Sequence, residues 1–168
     1  LATRSGSKKK DIASLIQRRI IIAAHLRFAK MLSGTEAFCM YLRLLGAKIG
    51  RHCSIRAINP VANPELISVG DGVHLGDFCN IVPGFYSKGF TSAEIKVQDN
   101  TVVGSGSLLL PGSALQENVI LGALSVAPQG SVLQQGGVYV GAQSLTLVKN
   151  TLIAEDERIE EMDPLYKK

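Results

Sequence analysis

Three histidines, His25, His52 and His74, are the side chains of this 168-residue chain whose ordinary pKa permits proton transfer near neutral pH. No serine–histidine–aspartate arrangement, phosphate-cradling glycine loop or metal-ligand spacing accompanies them. The run Gly104-Ser105-Gly106 is short, and corner geometry explains it. Cys39, Cys53 and Cys79 are odd in number, and their spacing fits neither a zinc site nor a disulfide framework. Reduced thiols and no bound metal are the expectation.

The elements that must position these groups follow from composition and periodicity. Hydrophobic residues make up 46% of the chain but aromatics only 5%, with no Trp, so the core must be aliphatic and narrow. Residues 1–56 hold 12 Lys/Arg against 2 Asp/Glu, while residues 57–168 hold 6 against 12. An anionic partner is therefore expected for the first part alone. Residues 1–10 read as a basic linker, and Asp11 can cap a helix over residues 12–32 that stops at Gly34. A second helix is expected over residues 35–45, closed by Gly46. Both are amphipathic and basic, suited to packing on the neighbouring domain or to lying on an anionic membrane surface. No apolar run of about 18 residues predicts a membrane-spanning helix. No secretory signal is visible, so a cytoplasmic, membrane-associated location is expected. The first residue is Leu1, which suggests one part of a longer chain. The basic stretch lacks interleaved aromatics, and no nucleic-acid partner is expected.

The strongest pattern is a period of six. Val97, Val103, Leu109, Leu115, Leu121, Ala127 and Leu133 fall in phase, as do Val69, Leu75 and Ile81, and Ile49 and Ile55. Four residues after these anchors stand small or β-branched side chains, among them Cys53, Cys79, Thr101, Ser107 and Ser125. Residues two apart in a strand share a face, so large anchors and small residues alternate inward. Glycine follows many anchors, as tight corners require. A fixed short period of this kind marks a solenoid. Three hexads make one coil, which stacks Val97 on Leu115 and Leu133, Val103 on Leu121, and Leu109 on Ala127. Two segments break phase: a widened corner around Asn59-Pro60 and Asn63-Pro64, and a projecting loop over residues 83–96. The exit motif is Gly136-Gly137-Val138-Tyr139-Val140-Gly141, and an acidic helix is expected over residues 151–162, stopped by Pro164. The boundaries are 1–48 for the basic helical segment, 49–143 for the β-helix and 144–168 for the acidic tail.

The residues just before the anchors point outward. His74 shares such a column with Val102 and Ile120, which places it on a rigid rung facing a partner surface. His25 falls in the N-terminal helix as an ordinary helix residue. The outward positions Val102, Leu108, Ala114, Ile120, Val126 and Val132 are apolar, so at least one outer face is expected to be covered.

The hexad run over residues 97–132 resembles the hexapeptide-repeat acyltransferase superfamily. Three further motifs sharpen the likeness: Leu42-Arg43-Leu44-Leu45-Gly46-Ala47-Lys48-Ile49-Gly50, Pro64-Glu65-Leu66-Ile67-Ser68-Val69-Gly70-Asp71-Gly72 and Val119-Ile120-Leu121-Gly122-Ala123-Leu124-Ser125-Val126-Ala127-Pro128. As a set they are similar to the C-terminal acyltransferase-like region of non-ribosomal-peptide-synthetase-like proteins of the poly-lysine synthetase type. That resemblance implies a left-handed parallel β-helix, an all-β solenoid flanked by N-terminal helices and a C-terminal helix. It implies a homotrimer or contact with neighbouring domains, and a coenzyme A thioester or carrier-bound acyl donor. It implies a histidine base, for which His74 is the candidate, with Asp71 or Asp77 near enough in sequence to orient its ring. The donor is expected against Gly104, Ser105, Gly122 and Ala123. Two departures stand against activity: the projecting loop has no histidine, and Ala142-Gln143 follows the exit motif where many members have Asn-Pro. The alternative is a non-catalytic scaffold that assembles subunits or braces a synthetase at a membrane.

Overall fold

The computed structural model describes residues 16, 19–56, 59–61, 63–86 and 90–150. Each anchor is the last residue of a short strand that pairs in parallel with the strand one coil away. The outcome is a three-faced solenoid. The first face stacks β1 (Lys48–Ile49), β3 (Ile67–Val69), β8 (Ile95–Val97), β11 (Ala114–Leu115) and β14 (Val132–Leu133). The second stacks β2 (Ser54–Ile55), β4 (His74–Leu75), β9 (Val102–Val103), β12 (Ile120–Leu121) and β15 (Gly137–Val140). The third holds β5 (Asn80–Ile81), β10 (Leu108–Leu109) and β13 (Val126–Ala127). The expected columns are observed, with Val97 beside Leu115 and Leu133, Val103 beside Leu121, and Leu109 beside Ala127.

Burial follows the period. From Val69 to Leu133 every anchor is buried, and so are Cys53, Val73, Cys79, Thr101, Ser107, Ser113, Val119 and Ser125. Buried hydroxyls bond to the carbonyls of adjoining turns. Thr101 Oγ1 donates to the Gln116 carbonyl at 2.9 Å, and Ser107 Oγ to the Gly122 carbonyl at 2.9 Å. At these two positions a small polar residue fills a tight corner with its hydrogen bond met, whereas the buried Ser113 Oγ has no partner among the described residues.

The phase breaks have distinct structures. Asn59 donates from Nδ2 to Asn80 Oδ1 and Val61 is buried, so this widened segment fills the third face of the first coil without a strand. The projecting loop is a hairpin of β6 (Gly84–Tyr86) and β7 (Phe90–Ser92), antiparallel to each other. It ends earlier than the expected residue 96, because Ile95–Val97 already belongs to the first face. After the exit motif the chain turns back, and β16 (Thr146–Asn150) pairs antiparallel with β15. The sequence pattern had left these residues in the tail. The helix expected over residues 151–162 lies outside the described residues.

At the other end two helices close the stack. Residues 19–27 are helical (α1), and α2 spans Glu36–Leu44. Phe38, Cys39 and Leu42 of α2 are buried in one cluster with Cys53 and Ile55 of the first coil. Arg43 fastens this cap: Nε donates to the Ile49 carbonyl at 2.9 Å, Nη2 donates to the Gly50 carbonyl, and Nη1 pairs with Glu36 at 2.6 Å. Solenoids need such end caps, because a terminal coil has no neighbour to bury its interior.

Glycine at the corners is set by how closely coils approach. A Cβ at Gly104 would stand 2.4 Å from the backbone nitrogen of Ala123. Gly104→Ala is expected to destabilise the fold by about 1–3 kcal/mol, read as a lower urea midpoint at unchanged m-value.

Candidate functional site

The outward column of the second face runs Ser54, His74, Val102, Ile120, Val138, in register. His74 is exposed, as the period indicates. Around it the apolar side chains Val102 and Ile120 are also exposed. At the corner between the second and third faces stand Phe78 and Leu124, 64% and 75% exposed. Both adopt left-handed backbone conformations, with φ of +59° and +55°. Bulky residues seldom do so, at a cost of about 1–2 kcal/mol each. Between them lies Gly106, where a Cβ would come within 2.7 Å of Leu124 Cδ2. Leu124 therefore lies across the glycine, and an apolar ridge runs beside the histidine column. The hexad pattern does not reveal this ridge, because corner residues carry no periodic signal of exposure.

The carboxylates nearest in sequence do not hold the His74 ring. Asp71 Oδ1 accepts the Arg51 backbone N–H at 2.6 Å, and Asp77 Oδ2 pairs with Arg56 Nη1 at 3.5 Å. Asp99 continues the corner ladder by accepting the Asp71 backbone N–H at 2.8 Å. Among the described residues the His74 imidazole has no hydrogen bond or ion pair. Orientation of the ring would have to come from a substrate or a second subunit.

The other histidines fall elsewhere. His52 sits exposed at a corner with φ +56°. His25 is more than an ordinary helix residue: it is 1% exposed, edge-on to Phe38 at 5.6 Å and tilted to Tyr41 at 6.2 Å. It locks α1 onto α2 and cannot meet a substrate there.

Gly104, Ser105, Gly122 and Ala123 lie at the ridge corner. Ser105 and Ala123 are exposed, whereas the two glycines are fixed by stacking: a Cβ at Gly122 would meet Val140 Cγ2 at 2.9 Å. A second polar feature escaped the motif reading. Lys48, Ser68 and Lys96 align on the first face, and Glu94 reaches both lysines, at 3.9 Å and 3.5 Å. Two phase breaks separate the anchors at 49, 69 and 97, so the hexad pattern predicts neither this alignment nor the role of Glu94.

The cysteines carry no chemistry of this site. All three are free and buried, and no cluster of three or more metal-ligating side chains exists among the described residues. Burial pushes the Cys79 thiol up to about 12 and that of Cys39 to about 11. A raised thiol pKa disfavours the thiolate, which is the reactive form. Native protein at pH 8 should therefore resist iodoacetamide at Cys79, with thiolate about a thousandfold scarcer than for a thiol of ordinary pKa. Mass spectrometry should find full labelling only after denaturation.

The fold defined by these coils is that of hexapeptide-repeat acetyltransferases. The chain is similar to a maltose O-acetyltransferase from Clostridium difficile 630, with 18% identity, a TM-score of 0.54 and coverage of 80% of this chain and 88% of that one. It is similar to a galactoside acetyltransferase solved with coenzyme A, with 14% identity, a TM-score of 0.60 and coverage of 82% and 80%. A hexapeptide-repeat acetyltransferase of Vibrio cholerae O1 biovar eltor, solved with acetyl coenzyme A, gives 15% identity, a TM-score of 0.57 and coverage of 79% and 87%. Among curated proteins, a Delta-poly-L-ornithine synthetase of Acinetobacter baumannii (strain AB307-0294) is 30% identical over 87 residues. That stretch is 51% of this chain but only 6% of the synthetase. No family model matches the chain.

Proposed function

We propose that this chain is an acyl-transfer module with His74 as its general base. The observation that carries the reading is His74 itself: exposed, on a rigid rung, beside an apolar strip of Val102 and Ile120. The neutral imidazole takes the proton of an acceptor hydroxyl or amine as that atom attacks the thioester carbonyl, and the sulfur leaves as thiolate. Apolar rungs suit the aliphatic part of a pantetheine arm, whether of coenzyme A or of a carrier. The exposed Ser105 and Ala123 would border it, with Gly104 and Gly122 keeping the coils close beneath. The fold likeness supports a left-handed sense for the solenoid. The similarity to a stretch of a poly-ornithine synthetase supports a place within a larger synthetase-like protein of the poly-lysine synthetase type, working at the cytoplasmic side of a membrane.

A site with one wall needs a second. The ridge of Phe78 and Leu124, with Val102 and Ile120, is where we place a neighbouring subunit, in a homotrimer. Sedimentation of the 168-residue chain is expected to give a trimer, and Leu124→Asp to dissociate it. A monomeric wild type would remove this part of the reading. The unheld His74 ring favours one other reading, a non-catalytic scaffold. The deciding experiment measures thioester turnover with a panel of hydroxyl and amine acceptors. Transfer supports the enzyme, and no turnover with any acceptor supports the scaffold.

A further inference from the structure

The capping helix α1 presents two opposite apolar sides. Ile21 and His25, one turn apart, face inward and are buried. On the side directly opposite stand Ile16, Ile20 and Ala23, which with Arg19 line a shallow apolar cleft. Ile16 and Ile20 are 56% and 62% exposed, and Phe28 and Met31, just beyond the helix, are 74% and 85% exposed. At 100° per residue, Arg27 falls beside Ile20, and Arg19 lies at the flank of the same side. Both arginines are exposed. Exposed apolar side chains grouped in this way mark an interaction surface, so the outward side of α1 has an occupant.

We propose that this occupant is an anionic lipid surface, on which α1 lies flat. Charge decides among the candidates. Residues 1–56 are basic by 12 to 2, whereas residues 57–168 are acidic by 12 to 6. A second copy paired across a two-fold axis would set Arg19 of one copy near Arg27 of the other, like charge on like. A bilayer accepts the same pattern: the isoleucines enter the acyl boundary, while the arginine stems lie along it and their guanidinium groups reach the phosphates. Among the described residues no helix is long and apolar enough to cross a membrane, so the mode is lying on the surface rather than spanning. Because α2 closes the first coil and α1 rests on α2, the solenoid stands end-on. The rung carrying His74 then lies within about 30 Å of the headgroups, counting two helix diameters and two rungs.

Vesicle flotation of the 168-residue chain tests this. Binding is expected to phosphatidylcholine vesicles containing phosphatidylserine, to fall in high salt, and to be weak on pure phosphatidylcholine. Arg19→Glu with Arg27→Glu should lower partitioning at least about tenfold, and Ile20→Ser with Phe28→Ser should lower it as well. Thermal melting should be unchanged in both variants, since all four side chains are exposed. Equal binding to both vesicle types, no binding to either, or wild-type binding by the arginine variant would overturn the proposal. So would an oligomer that Ile20→Ser with Phe28→Ser dissociates, because a second copy would then occupy this side.

Discussion

Val103→Asp is expected to destabilise the solenoid by about 3 kcal/mol or more. Val103 is fully buried, between Leu75 on the rung before and Leu121 on the rung after. Those flanking rungs are aliphatic, so a carboxylate placed between them finds no counter-ion. It must either stay protonated or open the coil. Val102, one residue earlier, points out and is 38% exposed. Val102→Asp should leave monomer stability within about 0.5 kcal/mol. Urea unfolding of the pair therefore measures direction as much as hydrophobicity. Equal losses in the two variants would mean that these neighbours do not face opposite ways.

His74→Ala is expected to lower acyl transfer by about 10² to 10⁴, with the melting curve unchanged. The side chain is exposed, and its ring has no protein partner among the described residues, so its removal should cost little in stability. The expected loss is in kcat, because the base acts on a proton in flight rather than on substrate binding. Equal rates would exclude His74. A loss of rate accompanied by a lower melting temperature would instead assign it a structural part.

The coils were legible from sequence because their rule is local. A hexad repeats whatever its neighbours do, so Val97 to Leu133 announced the inward anchors, and Val69, Leu75 and Ile81 the outward direction of His74. Where the chain departs from the period, sequence offered less. The antiparallel return of β16 depends on a turn after Gly141, whose φ is +140° and where a Cβ would meet the Ser144 carbonyl oxygen. Nothing in the hexad pattern extends past that point. The site was half legible for a similar reason. Periodicity places a side chain on a face but does not choose its partners. Asp71 and Asp77 stand three residues either side of His74, yet one accepts a backbone N–H across the corner and the other meets Arg56. The ridge of Phe78 and Leu124 needed three dimensions, because it is made of corners from different coils.

The hairpin of β6 and β7 leaves and rejoins the stack without disturbing it: Ile81 still pairs with Leu109, and Val97 with Leu115. Strand register on both sides is thus independent of what lies between. The entropy of closing a loop grows only with the logarithm of its length, about 0.6 kcal/mol per doubling. This corner is therefore a natural insertion port. Foreign peptides of varied length could be grafted between Pro83 and Ala93, which already meet through a backbone hydrogen bond of 3.0 Å, and the rungs beneath would hold their spacing as a fixed mount.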